Sequence, residues 1–242
     1  RIHVAENLID TFLGRSYLPQ YPIFILTFLQ AIDSAQPINA STGAYGHLWE
    51  VFMTTALARA SQDTNIDTKY TYLAELAHCM FAKGTKELSE AEFVIFHRQY
   101  REKYSLVVDR GRLFKSLTEV GVLAGGNQEY RFKYLYFFYY FVARYLRDNI
   151  QSELIRKEID ELCAKLHKED HANIWLFLTH LSKDPFLLEC ILAHARKLFQ
   201  EIRPAAFEKD IAFLDGFYEL ISKVVLVDKT PQQVRENRRR QL

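Results

Sequence analysis

The stretch GVLAGGNQEYRFKYLYFFYYFVARYLR, residues 121–147, contains the change of pattern that decides the fold of this chain. Two short runs, at 122–124 and 129–132, flank Gly125-Gly126-Asn127, which can adopt the positive φ values of a tight turn. These residues therefore predict a β-hairpin. From Tyr134 to Tyr145 aromatic residues follow one another without a polar face. Such a block predicts a helix that is buried on several sides.

A membrane span is the alternative interpretation of the aromatic block, and its length argues against it. The apolar part, residues 134–143, is about half of the roughly 20 residues that a bilayer requires. Four basic residues also flank it closely: Arg131, Lys133, Arg144 and Arg147. The block is therefore expected to form a core helix, in a protein without a membrane segment.

Composition narrows the class of protein. The chain has 242 residues and a net charge of +1, so no overall field draws it to nucleic acid or anionic lipid. Its three cysteines, Cys79, Cys163 and Cys190, are far apart in sequence and odd in number. This use of cysteine is typical of reduced thiols in a cytoplasmic protein.

Helical spacing of apolar residues and helix-end signals predict the order of elements around the hairpin. Ser89 and Glu92 form a predicted capping box, Asp109 is a predicted N-cap, and Gly121 a predicted helix end. We predict a short strand at Ser105–Val108. The predicted helices cover residues 1–13, 22–33, 45–61, 69–83, 90–104, 110–120, 134–145, 152–167, 171–182, 185–202 and 211–227.

Helix, helix, strand, helix and hairpin is the order of a winged helix-turn-helix domain. The predicted fold class is therefore mainly α. We predict a small helical domain at residues 1–62, a winged helix-turn-helix domain with one small β-hairpin at 63–148, and an antiparallel helical bundle at 149–242. Polar residues 62–68 mark the first boundary.

Several segments resemble a known family. The segment FKYLYFFYYFVARYL at 132–146 resembles the end of the winged-helix domain in NACHT-type members of the STAND class, the signal-transduction NTPases with numerous domains. YTYLAELAHCMF at 70–81 and LSEAEF at 88–93 resemble the opening helices of that domain. LPQYPIFIL at 18–26 resembles the proline-containing start of the small helical domain that follows the nucleotide-binding core.

The resemblance implies a role for the whole chain. It would be the regulatory segment of a signalling NTPase, sensing the nucleotide state and controlling oligomerisation, in bacterial antiviral defence. The implied cofactor is ATP or ADP, held by a nucleotide-binding domain N-terminal to Arg1. The implied partners are that upstream domain, further copies of the protein and a protein trigger.

The resemblance also implies nucleotide-contacting residues: Pro22 against adenine, Arg15 near a phosphate, and Lys133 and Tyr134 facing the nucleotide across the domain interface. Each has a plainer alternative, namely a turn between helices, a helix end, a solvated lysine and ordinary packing. Tyr134 stands where many family members have a histidine that reaches the phosphates. The sequence has no Gly-x-x-x-x-Gly-Lys-Ser/Thr loop, so this chain alone is not expected to hydrolyse ATP.

Two other classes of function remain open. The first is a winged-helix DNA-binding regulator with a helical dimerisation domain, in which Arg110, Arg112 and Lys115 would enter the major groove and Arg131 and Lys133 would lie on the wing. Acidic neighbours dilute this basic patch, so nucleic acid is not the expected partner. The second is a helical adaptor that binds only protein. The basic run at 235–240 is expected to be a solvated helix end.

Metal binding and catalysis have weaker signals. Cys163-x3-His167-x3-His171 has helical spacing, but it lacks an evident fourth ligand, and Lys168-Glu169-Asp170 has the composition of a helix end. We therefore expect no metal site. No motif of a nucleophilic or acid–base enzyme is present in the sequence.

Overall fold

The computed structural model describes residues 44–60, 64–126, 129–198 and 200–201. Predicted helices before residue 44 and after 201 lie outside this part of the chain. In order, the described elements are α1 (Ala44–Arg59), α2 (Ile66–Ala82), β1 (Glu87–Ser89), α3 (Glu90–Tyr104), α4 (Arg110–Glu119), β2 (Leu123–Gly126), β3 (Glu129–Phe132), α5 (Leu135–Asp148), α6 (Glu153–Cys163), α7 (Glu169–Leu181) and α8 (Pro185–Leu198).

This architecture confirms the prediction of a mainly α fold. By its internal contacts the chain divides into two units, Arg1–His194 and Ala195–Leu242. The described part of the second unit is the end of α8 and residues 200–201. The three predicted domains, 1–62, 63–148 and 149–242, stay a prediction.

The sheet has three antiparallel strands in the order β1–β3–β2. Tyr130 of β3 lies opposite Leu88 of β1 on one side and Gly125 of β2 on the other. The pairing of β2 with β3 confirms the predicted hairpin. However, Gly125 and Gly126, which were predicted as turn residues, belong to β2 and lie opposite Tyr130 and Glu129. Strand β1 was not predicted, because three residues are too few to show an alternating pattern. These residues form a strand only because they pair with β3, some forty residues later in the chain.

Helix α5 lies at the centre of the described core. It packs mainly against α7 and α2, and α1 packs against the same two helices. Trp49 of α1 stacks on Tyr136 with ring centroids 6.3 Å apart and meets Phe177 of α7 edge to face at 5.1 Å. Every residue from Phe137 to Ala143 is buried, which confirms the predicted core helix. Among the described helices, none is long and apolar enough to cross a membrane.

The N-terminal signals of α3 and α4 operate as predicted. The backbone N–H of Ser89 donates to Glu92 Oε2 at 3.0 Å, and the N–H of Glu92 donates to Ser89 Oγ at 3.4 Å, which completes the capping box. Asp109 Oδ1 accepts from the N–H of Arg112 at 2.7 Å. These bonds satisfy N–H groups that have no partner within the helix.

Gly121 ends α4 in the left-handed conformation, with φ of 75°. Its N–H donates to Thr118 O at 3.0 Å, and the N–H of Val122 donates to Leu117 O, also at 3.0 Å. These two bonds form a Schellman motif, in which glycine is favoured because a Cβ is strained at this φ. The motif turns the chain directly from α4 into the sheet.

The predicted strand at Ser105–Val108 was wrong. Ser105 is the left-handed C-cap of α3, with φ of 51°, and Leu106 N–H bonds back to Arg101 O at 3.3 Å. The carbonyl of Val108 accepts from Nε2 of the buried His97 at 3.1 Å. The N–H of Leu106 and the carbonyl of Val108 are therefore bonded to α3 and to His97, and neither is available to pair with a neighbouring strand.

Two further boundaries differ from the prediction. Helix α6 ends at Cys163 rather than at residue 167, and a series of turns follows. Residues 168–170, predicted as a helix end, instead begin α7. Glu169 and Asp170 then lie in the first turn, where negative charge is favoured by the helix dipole.

Candidate functional site

A cavity of about 530 Å³ lies where α1, the end of α4 and the start of α5 meet. It includes both described residues that the sequence predicted to face nucleotide. Its walls come from the last two turns of α1, the turn after α4 and the junction between β3 and α5. The lining residues are Phe52, Thr55, Ala56, Arg59, Glu119, Val120, Gly121, Val122, Lys133, Tyr134 and Phe137.

Lys133 is positioned by its backbone and by the turn beneath it. Its N–H donates to Val122 O at 3.0 Å, which extends the hairpin by one bond. Its side chain runs along Gly121, where an added Cβ would lie 3.4 Å from Lys133 Nζ. The ammonium lies 5.8 Å from the centroid of the Tyr134 ring, within the range of a cation–π contact. The lysine therefore lies at the cavity wall beside an aromatic surface.

Tyr134 is the N-cap residue of α5, with extended φ and ψ of −125° and 139°. Its carbonyl accepts from the N–H of Phe137 at 3.0 Å. The two rings meet edge to face, with centroids 5.3 Å apart. Backbone and ring contacts together hold the tyrosine against the core while part of it lines the cavity.

Arg59 in the last turn of α1 adds a second cation to the cavity. Apolar residues Phe52, Ala56 and Phe137 also line it, and Glu119 contributes one carboxylate. Two cations beside apolar and aromatic walls suit an anionic group joined to a flat ring system, because arginine and lysine bind phosphate and aromatic side chains pack against flat rings. Arg59 was not predicted as a site residue from the sequence. The sequence feature that could have indicated it is its position just before the polar segment 62–68.

Lys133 and Tyr134, which are adjacent in the chain, both line this cavity together with Arg59. Pro22 and Arg15 lie outside the described residues. Their predicted contacts with adenine and phosphate stay predictions, as does the role of Lys133 and Tyr134 in nucleotide binding.

The basic residues considered for DNA binding have different surroundings. Arg110 forms an ion pair with Glu90, which also accepts a hydrogen bond from the Tyr130 hydroxyl. These bonds, the one from Tyr130 above all, lower the pKa of Glu90 and keep it charged opposite Arg110. Arg112 and Lys115 are exposed on α4. The charge of Arg110 is therefore already compensated within the protein.

A larger cavity, of about 1040 Å³, lies between α2, α6 and the start of α7. Two pairs of its polar side chains contact each other: His78 Nε2 lies 3.0 Å from Glu158 Oε2, and Lys86 Nζ lies 2.7 Å from Asp170 Oδ2. None of the residues that the sequence predicted as nucleotide contacts lines it. The smaller cavity is therefore the better candidate site.

The predicted spacing Cys163-x3-His167-x3-His171 does not form one helix face. Helix α6 ends at Cys163, His167 lies in the following turns and His171 belongs to α7. Within the part of the chain that the structure describes, Cys163 instead lies close to two residues of α8, Cys190 and His194.

Comparison with known proteins links this region to one group of families. The model of the family described as Novel STAND NTPase 4 matches residues 86–142. The matched segment runs from just before β1 into α5, and it includes Lys133 and Tyr134. A comparison with curated proteins found no match. The family match supports a relationship between this chain and the STAND NTPases.

Proposed function

We propose that this chain is the regulatory segment of a NACHT-like STAND NTPase, and that the cavity around Arg59, Lys133 and Tyr134 faces a nucleotide held by a preceding domain. The observation that carries the proposal is the meeting of these three side chains in one cavity. Two of them belong to the segment that matches a STAND family. The residues fit the phosphate end of ADP, which requires positive charge.

We infer that residues 63–148, the second predicted domain, form a winged helix-turn-helix domain. The order α2, β1, α3, α4, β2, β3 and the sheet order β1–β3–β2 support this assignment. In this arrangement the wing is the β2–β3 hairpin, and its last strand leads directly to Lys133 and Tyr134. A movement of the winged helix would therefore carry both residues towards or away from a bound nucleotide.

The regulatory role follows from differential binding. In the resting state, Lys133 and Arg59 would contact ADP phosphates and hold the winged helix closed against the preceding domain. Exchange or trigger binding would release these contacts, because a ligand shifts an equilibrium only through different affinity for the two states. The opened protein would then self-associate. We place this activity in the bacterial cytoplasm, in antiviral defence, with a protein trigger.

The test is ADP release from the full-length protein with its nucleotide-binding domain. Lys133→Ala removes a charged contact to phosphate, which is worth roughly 1.5–3 kcal/mol when made. We therefore expect ADP to dissociate about 10-fold faster or more. Assembly should also begin at a lower ATP concentration, as measured by light scattering.

Arg131→Ala is the matched control. Arg131 is exposed on β3, two residues before Lys133, and is absent from the cavity lining. Its removal should leave ADP release unchanged. Equal release rates for Lys133→Ala, Arg59→Ala and the wild type would contradict the proposal, and so would a full-length protein that retains no ADP.

A further inference from the structure

Helices α6 and α8 place four metal-binding side chains at one point of the described chain. The ligand atoms of Cys163, Cys190 and His194 all lie within 4.8 Å of one another. Asp160 Oδ1 lies 3.5 Å from Cys190 Sγ and 2.9 Å from His194 Nε2. The structure therefore already brings two sulfurs and one imidazole nitrogen close together, and the Asp160 carboxylate lies beside two of these three side chains.

The spacing along each helix explains this arrangement. Asp160 and Cys163 are three residues apart on α6, and Cys190 and His194 are four apart on α8. Residues at these spacings share a helix face, so each helix presents one pair of ligands. Two facing pairs supply a four-ligand set, as in metal sites built between the helices of a bundle.

We propose that Asp160, Cys163, Cys190 and His194 form a zinc site. Zinc takes sulfur, imidazole and carboxylate ligands in tetrahedral geometry, and four protein ligands are typical of a structural site. Zinc–ligand bonds of about 2.0–2.3 Å place ligands roughly 3.3–3.8 Å apart around the metal. The ligand atoms of Cys163, Cys190 and His194, within 4.8 Å of one another, need a contraction of about 1 Å to reach those values. The Asp160 carboxylate, which is close to Cys190 and His194, must also turn towards Cys163, and the exposure of its side chain permits this.

The chemistry of binding is balanced without a redox step. Zn²⁺ forms two bonds to sulfur, one to nitrogen and one to oxygen, and the two thiol protons pass to solvent. His194 gives up the Nε2 proton that it now donates to Asp160 and binds as the neutral imidazole protonated on Nδ1. The sulfurs are buried, with Cys163 and Cys190 exposed by 3% and 4%, whereas the Asp160 side chain is 61% exposed. The metal can therefore reach the site from the exposed side, where Asp160 lies, and then bind the two buried thiolates.

The sequence pattern of this site differs from that of a metal motif carried by one helix. A single-helix spacing, such as Cys163-x3-His167, is what a motif search tests. Here the ligands come in two short pairs, Asp160-x2-Cys163 and Cys190-x3-His194. These pairs indicate a metal site only when the structure shows that α6 and α8 are neighbours. The inference is independent of the proposed nucleotide-sensing function.

The experiment is titration of the reduced, chelator-treated chain with Zn²⁺, and with Co²⁺ as the spectroscopic probe. We expect one equivalent of either metal to bind. The Co²⁺ form should show a thiolate-to-metal charge-transfer band and the visible bands of tetrahedral cobalt. Bound Zn²⁺ should also raise the Tm, because a ligand that binds only the folded state stabilises it.

Variants separate this site from adventitious thiol binding. Cys190→Ser and His194→Gln should each weaken Zn²⁺ binding by at least about 100-fold, the upper end of what the loss of supporting partners costs in other metal sites. The matched control is Cys79→Ser, since Cys79 is partly exposed on α2 and does not belong to the cluster. It should bind zinc like the wild type.

Three results would overturn the proposal. The first is absence of stoichiometric Zn²⁺ binding by the folded, reduced protein. The second is binding that survives His194→Gln but is lost in Cys79→Ser. The third is a Cys163–Cys190 disulfide in the protein as isolated, shown by thiol alkylation and mass spectrometry. His194 is partly exposed, so His194→Gln is expected to fold even if a cysteine variant does not.

Discussion

The aromatic rings around α5 and those beside β3 are held in different ways. The α5 core lies between α1, α5 and α7, and its rings are almost completely removed from water. None of these side chains is more than 2% exposed: Trp49, Phe137, Tyr140, Phe141 and Phe177. Their contribution to stability therefore comes from buried apolar area and close packing.

The sheet-side cluster consists of Phe93, Phe114 and Tyr130, from α3, α4 and β3. Phe93 stacks on Tyr130 with centroids 4.1 Å apart, and Phe114 meets Tyr130 edge to face at 4.7 Å. The Tyr130 hydroxyl then donates to Glu90, which is also paired with Arg110. This cluster reaches the surface, where a charged group completes it.

The difference shows which part of the fold depends on charge. Removing a ring from the α5 core leaves a cavity at any pH. Removing the charge of Glu90 affects only the sheet side, and only while the carboxylate is ionised. Substitutions in the two regions should therefore differ both in the size of their effect and in its pH dependence.

The largest effect is expected from Phe141→Ala in the α5 core. Phe141 is fully buried and contacts Tyr70, Phe132 and Tyr140 through its ring. Truncation of a buried phenylalanine costs about 3–5 kcal/mol, because the lost apolar contact is joined by the cost of a cavity. Urea denaturation should show this loss as a lower midpoint with an unchanged m value.

Leu135→Ala on the same helix is the control for this substitution. Leu135 is 46% exposed, so its replacement should change the free energy of unfolding by only about 0.5 kcal/mol. Equal effects of the two substitutions would mean that α5 is not the centre of the core.

A smaller effect is expected from Gly121→Ala, at the end of α4 beside the candidate site. An alanine with φ of 75° is strained by about 1–2 kcal/mol, and its Cβ would meet Lys133 Nζ at 3.4 Å. Gly111→Ala in the same helix should act in the opposite direction. Its Cβ would meet only Asp109 Oδ1, at 3.6 Å, and alanine favours a helix over glycine by about 0.5–1 kcal/mol.

Thermal unfolding of the two glycine variants measures this contrast. The Tm should fall for Gly121→Ala and rise for Gly111→Ala. A fall of similar size for both would show that α4 tolerates no added side chain at either end, and would remove the special role assigned to the left-handed turn at Gly121.

The same division explains what could be predicted from the sequence. The aromatic helix and the capping box at Ser89 depend on residues that are close in sequence, and both predictions were confirmed. The Ser105–Val108 prediction failed because the buried His97 takes the Val108 carbonyl. Strand β1 was missed because only its partner β3 makes it a strand.

The candidate site residues also divide into those that a local sequence pattern indicates and those that depend on packing between helices. Lys133 and Tyr134 were predicted because they belong to the contiguous segment 132–146 that resembles a family, and both line the candidate cavity. Arg59 was not found, since its place beside them depends on how α1 packs. The cluster of Cys163 with Cys190 and His194 also arises from packing between helices, which no single stretch of sequence contains.

The smallest predicted effect is the acid dependence of the sheet-side cluster, tested by Glu90→Gln. Hydrogen bonds, first from Tyr130 and then from Arg110, lower the pKa of Glu90 from its ordinary value of 4.5. Below pH 4.5 the unfolded chain therefore binds more protons at this position than the folded one, so the stabilisation present at neutral pH is lost as pH falls.

Glutamine does not titrate, so the Tm difference between wild type and variant should be largest near neutrality and disappear in acid. A Tm difference for Glu90→Gln that stays constant with pH would contradict the role of the carboxylate.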